Sequence, residues 1–297
     1  MSFDLFGAGN PEDDLKELSR LDPAHSGDRE RFVEAVMTFY SRAGRRMPWR
    51  DNPDPYWVFV SEIMLQQTQV SRVMQKFPVF VHRFPGFREL AEAPLAEVLG
   101  EWSGLGYNRR ARWMKEAAGL VLSRHAGVLP ELPETLVGLP GIGPNTAGSI
   151  AAFAYNRPAV FIETNIRRVL LHVFFPDTPA VHDRELLPIL STCLPEGQAR
   201  VWYWALMDYG VALARSVGNA NRRSRHYSRQ SAFEGSTRQL RGRILRLLGE
   251  QGALSVAELA DNAGFPEERT RSVLEALKKD GMVQASRQRP DRWIIAD

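Results

Sequence analysis

Cys193 is the single cysteine among 297 residues. A lone thiol excludes an intramolecular disulfide and any metal site built from several cysteines, and it fits the reducing, cytoplasmic compartment expected for this chain. No run of about 18 apolar residues occurs, so no membrane-spanning helix and no membrane partner are expected. The N-terminus carries Glu12, Asp13 and Asp14 rather than a basic stretch followed by an apolar core, so a secretory leader is not expected either. Charge of one sign is also scarce. The formal net charge of +3 would not by itself indicate nucleic acid.

What is present is ordinary in amount and informative in placement. A hydrophobic content of 44% with 25% charged residues suits a soluble globular protein, long enough for a main domain and a small appended module. Arg215, Arg222, Arg223, Arg225, Arg229, Arg238, Arg241, Arg243 and Arg246 gather in one segment with few acids between them. Guanidinium groups bind phosphate bidentately, so this segment is either a grip on a polyanion or a solvated face.

Helix-period patterns follow one another without convincing strand alternation, which makes the main body all-α. Residues 1–28 read as a flexible lead-in with a turn of helix near Leu15 to Leu21, 29–214 as the main helical domain, and 215–236 as an Arg-rich connector. Residues 237–297 resemble a winged helix-turn-helix. Ser255 caps its second helix, Gly264 ends it, and Pro266 opens a third that carries Glu267, Glu268, Arg269 and Arg271. Met282-Val283 and Trp293-Ile294-Ile295 would supply two wing strands. Such a module could bind DNA through its third helix, contact a protein, or cap the main domain.

Two stretches carry chemistry. WVFVSEIMLQQTQVSRV, Trp57 to Val73, reads as one helix in which Glu62 sits among Phe59, Ile63 and Met64. If buried there, its carboxyl would be pushed up by desolvation, as a general acid requires. LPGIGPNTAG, from Leu139, is a turn whose two glycines can take positive φ, leading at Thr146 into a helix of small residues. Its outward N–H groups at a helix N-terminus favour a phosphate oxygen. Downstream, Glu163-Thr164-Asn165 opens another helix. An acid there is most often a cap.

Read in order, SEIMLQQTQV, GLGYNRRAR, LPGIGPNTAG and FIETNIRRV resemble the helix-hairpin-helix DNA glycosylases, most closely the adenine glycosylases of the MutY type, over Phe32 to Leu213. The resemblance implies a two-lobed helical domain and a base-excising enzyme acting as a monomer on double-stranded DNA that contains a mispaired or damaged base. Glu62 matches the acid that protonates adenine N7. Glu163 matches the carboxylate that stabilises the oxocarbenium-like sugar, and Asn165 the residue that holds it. Gln67 matches the wedge that fills the space of the flipped nucleotide, with Leu105 and Tyr107 inserting nearby. Gly141, Gly143 and Thr146 match the phosphate-gripping hairpin, and Arg222, Arg223 and Arg225 fall where DNA contact is expected. Arg50, Asn145 and Trp204 fall at the base pocket.

The chain departs from that pattern in several places. Glu163 stands where the family usually has Asp. Asn145 replaces the Schiff-base Lys of the bifunctional relatives, which implies a monofunctional enzyme without lyase chemistry. Trp204 stands where many adenine enzymes have Glu or Gln. The four cysteines of an iron–sulfur cluster are missing, as is the module that reads 8-oxoguanine. No cofactor is therefore expected, although the hairpin leaves room for a monovalent cation. Excision of adenine from mispairs, including those opposite 8-oxoguanine, is the leading expectation. Removal of thymine or uracil opposite guanine, or non-catalytic binding to DNA structures, are the alternatives.

Overall fold

The computed structural model describes residues 18–216, 218–225 and 233–296. The expected helix near Leu15 to Leu21 lies partly outside them, and its described part from Leu18 is not helical; Arg229 also lies outside. In chain order the helices are α1 (Ser26–Ala43), α2 (Pro48–Asp51), α3 (Pro55–Leu65), α4 (Val70–Arg83), α5 (Phe87–Glu92), α6 (Leu95–Trp102) and α7 (Arg109–His125). They continue as α8 (Pro133–Leu136), α9 (Pro144–Tyr155), α10 (Thr164–Val173), α11 (Asp183–Thr192) and α12 (Ala199–Ser216), then a 3-10 turn at Ala220–Arg223. The C-terminal part runs α13 (Thr237–Gln251), β1 (Leu254–Ser255), α14 (Val256–Ala263), α15 (Glu267–Lys279), β2 (Val283–Ala285) and β3 (Arg292–Ile295).

In space the chain divides differently from its linear segments. One unit comprises Met1–Val58, Glu131–Val137 and Ile142–Arg229, and the other Phe59–Pro130, Gly138–Gly141 and Gln230–Asp297. The middle of the main helical segment thus shares a unit with the C-terminal residues.

In the first unit α12 is the central element, with α1, α9 and α10 packed on it. The aromatic spacing of α1 produces this. Phe32 meets Trp202 and Phe174 edge to face at 5.6 and 5.2 Å, and Phe39 meets Tyr209 at 5.3 Å. Small residues serve α9 differently. Ala147, Gly148, Ser149, Ala151 and Ala152 are all buried, and a Cβ at Gly148 would lie 2.9 Å from that of Phe161. The glycine is what lets the strand-like stretch before Glu163 lie against the helix.

In the second unit α5 and α6 pack on α7, and α13 packs on α6. Ser255 forms a capping box with Glu258, Gly264 ends α14 at φ +68°, and Pro266 precedes α15, all at the positions the sequence marks. Both expected C-terminal strands form, joined by β1 in an antiparallel sheet of order β1-β3-β2. β1 was not expected; Leu254 and Ser255 pair with Trp293 and Arg292.

The expected single helix from Trp57 to Val73 is two. The chain turns at Gln67, whose φ is +55°, and restarts at Val70. Arg110 is the physical reason. Buried on α7, it donates through Nη1 to the carbonyls of Ile63, Met64 and Gln66 at 2.7, 2.9 and 2.6 Å, and through Nη2 to Leu105 and Gly106 at 3.3 and 3.0 Å. Carbonyls at a helix end lack intrahelical partners, and this guanidinium satisfies those of Ile63, Met64 and the following Gln66, while that of Leu65 accepts from the Thr68 N–H at 3.2 Å. Burial lowers its pKa to about 10. Arg110→Met is expected to destabilise the protein by roughly 3–5 kcal/mol, because it strands several buried acceptors at once. Arg110→Lys, with a single nitrogen, should recover less than half of that loss. Urea unfolding followed at constant m-value checks both.

Candidate active site and DNA-facing turns

Glu163 is the N-cap of α10. Its Oε1 accepts from the backbone N–H of Asn165 at 2.8 Å and of Ile166 at 3.0 Å, and Oε2 accepts from Asn165 Nδ2 at 3.3 Å. Asn165 is oriented in turn: its Oδ1 accepts from Arg168 Nη1 at 2.6 Å, and the same nitrogen donates to the Gly210 carbonyl at 2.8 Å. A Cβ at Gly210 would fall 2.5 Å from the Asn165 carbonyl, so this close approach requires glycine. Asn165 and Arg168 are three apart on one helix and share a face, a spacing visible in the sequence although Arg168 was not singled out.

The carboxyl of half-buried Glu163 is pushed up by burial, against the pull of the Asn165 and Ile166 N–H groups and of Arg168 and Arg167. An upward push is thus found on the carboxylate that the resemblance wants ionised. Glu62, on α3 in the other unit, is half-buried between the buried Ser61 and Ile63.

Of the three residues expected at the base pocket, Arg50 and Trp204 are buried and Asn145 is not. Asp208, fully buried, accepts from Arg50 Nη1 and Nη2 at 2.8 and 3.0 Å and from Arg45 N and Nε at 2.7 Å each. Trp204, 9% exposed, stacks on Phe153 at 6.0 Å and lies 5.5 Å from the Arg50 guanidinium. Asn145 is exposed, its Oδ1 3.4 Å from the Ile162 N–H. Arg45 escaped the sequence reading because its partner is 163 positions away.

The turns differ from expectation in three ways. Only Gly141 has positive φ, +80°; Gly143 is extended at φ −87°, ψ 173°, because it serves as the N-cap of α9. Leu105 is buried at 3% exposure, whereas Tyr107 and Gln67 are exposed. Among the connector arginines Arg222 is exposed, Arg223 Nη2 turns inward to the Leu171 carbonyl at 3.4 Å, and Arg225 Nη1 lies 3.0 Å from His182 Nε2. Within the second unit Gln66 Nε2 donates to the Gly141 carbonyl at 3.1 Å, and a Cβ at Gly141 would be 3.1 Å from that of Trp113. Thr146 is half-buried at the start of α9.

Residues 60–187 match the family model described as HhH-GPD superfamily base excision DNA repair protein. An adenine DNA glycosylase of Mycolicibacterium smegmatis is 34% identical over 273 residues, covering 84% of this chain and 91% of the relative. The chain belongs to this base excision DNA repair superfamily. A second relative, an adenine DNA glycosylase of Mycobacterium tuberculosis strain CDC 1551, is 33% identical over 296 residues, or 91% of this chain and 94% of that one. Among solved structures, a thermostable thymine-DNA glycosylase aligns at a TM-score of 0.55 with 26% identity, covering 61% of this chain and 85% of that one. No described helix of this superfamily member is long and apolar enough to cross a membrane.

The two networks make separable predictions. Asp208→Asn leaves two buried guanidiniums facing a neutral amide and should cost roughly 3–5 kcal/mol in chemical denaturation. For Glu163 the sign runs the other way. A carboxyl raised on folding makes stability fall as pH rises from its unfolded value to its folded one. Glu163→Gln should therefore be at least as stable as the parent at pH 7, with the difference in Tm shrinking towards pH 4. A Gln variant that is less stable at neutral pH by more than its lost hydrogen bonds would contradict the burial effect.

Proposed function

We propose that the protein is a monofunctional DNA glycosylase that excises adenine from mispaired duplex DNA, including mispairs with 8-oxoguanine. One observation carries this within the superfamily: the Glu163 carboxylate is held by two backbone N–H groups and by an amide that Arg168 orients, at a helix N-terminus. Such an arrangement fixes a negative charge before the reaction begins. As the N-glycosidic bond breaks, positive charge grows on the sugar and favours the ionised form of Glu163 against its burial. Glu62 donates a proton to adenine N7, so the base departs neutral. Water then adds to C1′ and releases its proton. Gln67 and Tyr107, exposed and both at positive φ, enter the stack as the nucleotide leaves it. Asn145 in place of an amine leaves no Schiff-base route, and the connector has no cysteine for an iron–sulfur cluster.

The enzyme acts as a monomer, in the cytoplasm, without a cofactor beyond a monovalent cation at the hairpin. A second reading is removal of thymine or uracil opposite guanine. It is favoured by the likeness to a thymine-DNA glycosylase and by Trp204, whose indole cannot accept hydrogen bonds from adenine.

Single-turnover assays on duplexes with A:8-oxoguanine, A:G, T:G and U:G pairs test this. Adenine release is expected. Glu62→Gln should slow it by about 10²–10⁴-fold with duplex binding retained, and Glu163→Gln by about 10²–10³-fold. Because burial raises Glu163, the acid limb of the parent's rate profile should lie above the ordinary carboxyl range. Release of pyrimidine alone selects the second reading, and binding without any release refutes an enzyme.

A further inference from the structure

Gln67 and Tyr107 share a backbone state that few side chains adopt. Their φ angles are +55° and +48°, in the left-handed region, and neither is glycine. Gly106, immediately before Tyr107, takes φ +71° without strain, so this turn has a glycine available and still bends through a tyrosine. Strain of this kind persists only where the surroundings over-determine the backbone, and it gathers where a side chain must be held for use. Both side chains are exposed, and both border one open cleft of about 340 Å³ that Asn108, Trp113 and Arg241 also line.

One network over-determines both turns. Arg110 gives each of them a terminal nitrogen: Nη1 serves the turn at Gln67 through the Ile63, Met64 and Gln66 carbonyls, and Nη2 serves the turn before Tyr107 through those of Leu105 and Gly106. Thr68 crosses between them. Its half-buried Oγ1 accepts from Arg110 Nη2 at 2.9 Å and lies within donating distance of the Leu105 and Gln66 carbonyls, at 3.3 and 3.4 Å. Trp102 Nε1 donates to the Gly106 carbonyl at 2.9 Å, and the Arg110 guanidinium lies 5.1 Å from the Trp102 ring and 5.6 Å from that of Tyr107. A guanidinium is planar and keeps its nitrogens at a fixed separation, so holding one turn with each fixes the offset between the turns. Entering a base stack means overcoming the energy of unstacking, and prongs ordered beforehand lose little conformational freedom in doing so.

We propose that Arg110 and Thr68 are positioning residues for base extrusion: they lock the turns carrying Gln67 and Tyr107 into a single two-pronged wedge whose shape is set before DNA is met. The proposal rests on the reading that Gln67 and Tyr107 enter the stack, but not on hydrolysis of the base.

Stopped-flow fluorescence at saturating protein tests it, on A:8-oxoguanine, A:G, T:G and U:G duplexes that carry 2-aminopurine next to the mispair, since the probe brightens as its neighbour leaves the stack. Thr68→Val should slow the rise by about 3–10-fold, the worth of one hydrogen bond, and Arg110→Lys by about 10²-fold. Affinity for a fully matched duplex should stay unchanged in both. Thr68→Ser, which keeps the hydroxyl, should recover most of the loss. In a Gln67→Ala background the Thr68→Val loss should shrink, because the hydroxyl then has one prong fewer to hold; an undiminished factor marks a merely structural role and overturns the proposal, as does an unchanged rate in Thr68→Val. Urea melts accompany each variant, and Thr68→Val decides alone if Arg110→Lys does not fold. A parent that gives no rise with any of the four pairs refutes extrusion and the wedge together. A parent that extrudes with these losses and releases no base leaves the wedge standing and refutes the excision reading.

Discussion

A guanidinium taken out of water must find acceptors for its donors, and this protein uses that constraint as its main connecting device. Arg110 is the strictest case, because the carbonyls of Ile63, Met64, Gln66, Leu105 and Gly106 and the hydroxyl of Thr68 all accept from its guanidinium. Five carbonyls from two separate turns converge on one side chain. The left-handed backbone at Gln67 and at Tyr107 is tolerable only because the carbonyls that those turns release are collected in this way. Arg45 and Arg50 do the same for the other unit with a carboxylate, and Arg168 with an amide and a carbonyl. Each ties together segments that are remote in sequence.

Glu163 shows why a structural and a chemical role need not compete. An acid at a helix N-terminus is stabilised by free N–H groups, and those same groups keep its charge in place for a reaction. The cap is thus a condition of the chemistry. The longer side chain matters here. Oε1 takes both backbone N–H groups while Oε2 meets the Asn165 amide, so the carboxylate is folded back on its own helix. A glutamate folded back in this way projects less than its extra methylene would suggest.

What the sequence disclosed follows from the range of the forces involved. Helix spacing in α1, the capping box at Ser255 and the stop at Gly264 are decided within a few residues, and all were legible. The break at Gln67 was not, because its cause is a side chain more than forty positions onward. Asp208 could be noticed as an acid among apolar residues, but not its partners Arg45 and Arg50. Gly143 looked like a positive-φ turn residue and is extended, since a glycine pair does not reveal which member bends the chain. Short β1 has only two residues and no pattern to detect.

The arginine-rich segment carries the same lesson further. Counted along the chain, its guanidiniums suggest one continuous grip on a polyanion. In the structure they divide. Arg223 is turned to the Leu171 carbonyl, and Arg243 caps α14 by donating to the Ala263 carbonyl at 2.6 Å while lying over Phe265. Arg241 lines the cleft beside Tyr107 and donates to the largely buried Asp280 carboxylate, and Arg238 donates to the Tyr107 hydroxyl at 3.1 Å. A guanidinium whose donors are consumed by buried carbonyls has nothing left for a phosphate, however favourable the local count of charge. The number of arginines along such a segment therefore overstates the charge it can offer to a polyanion.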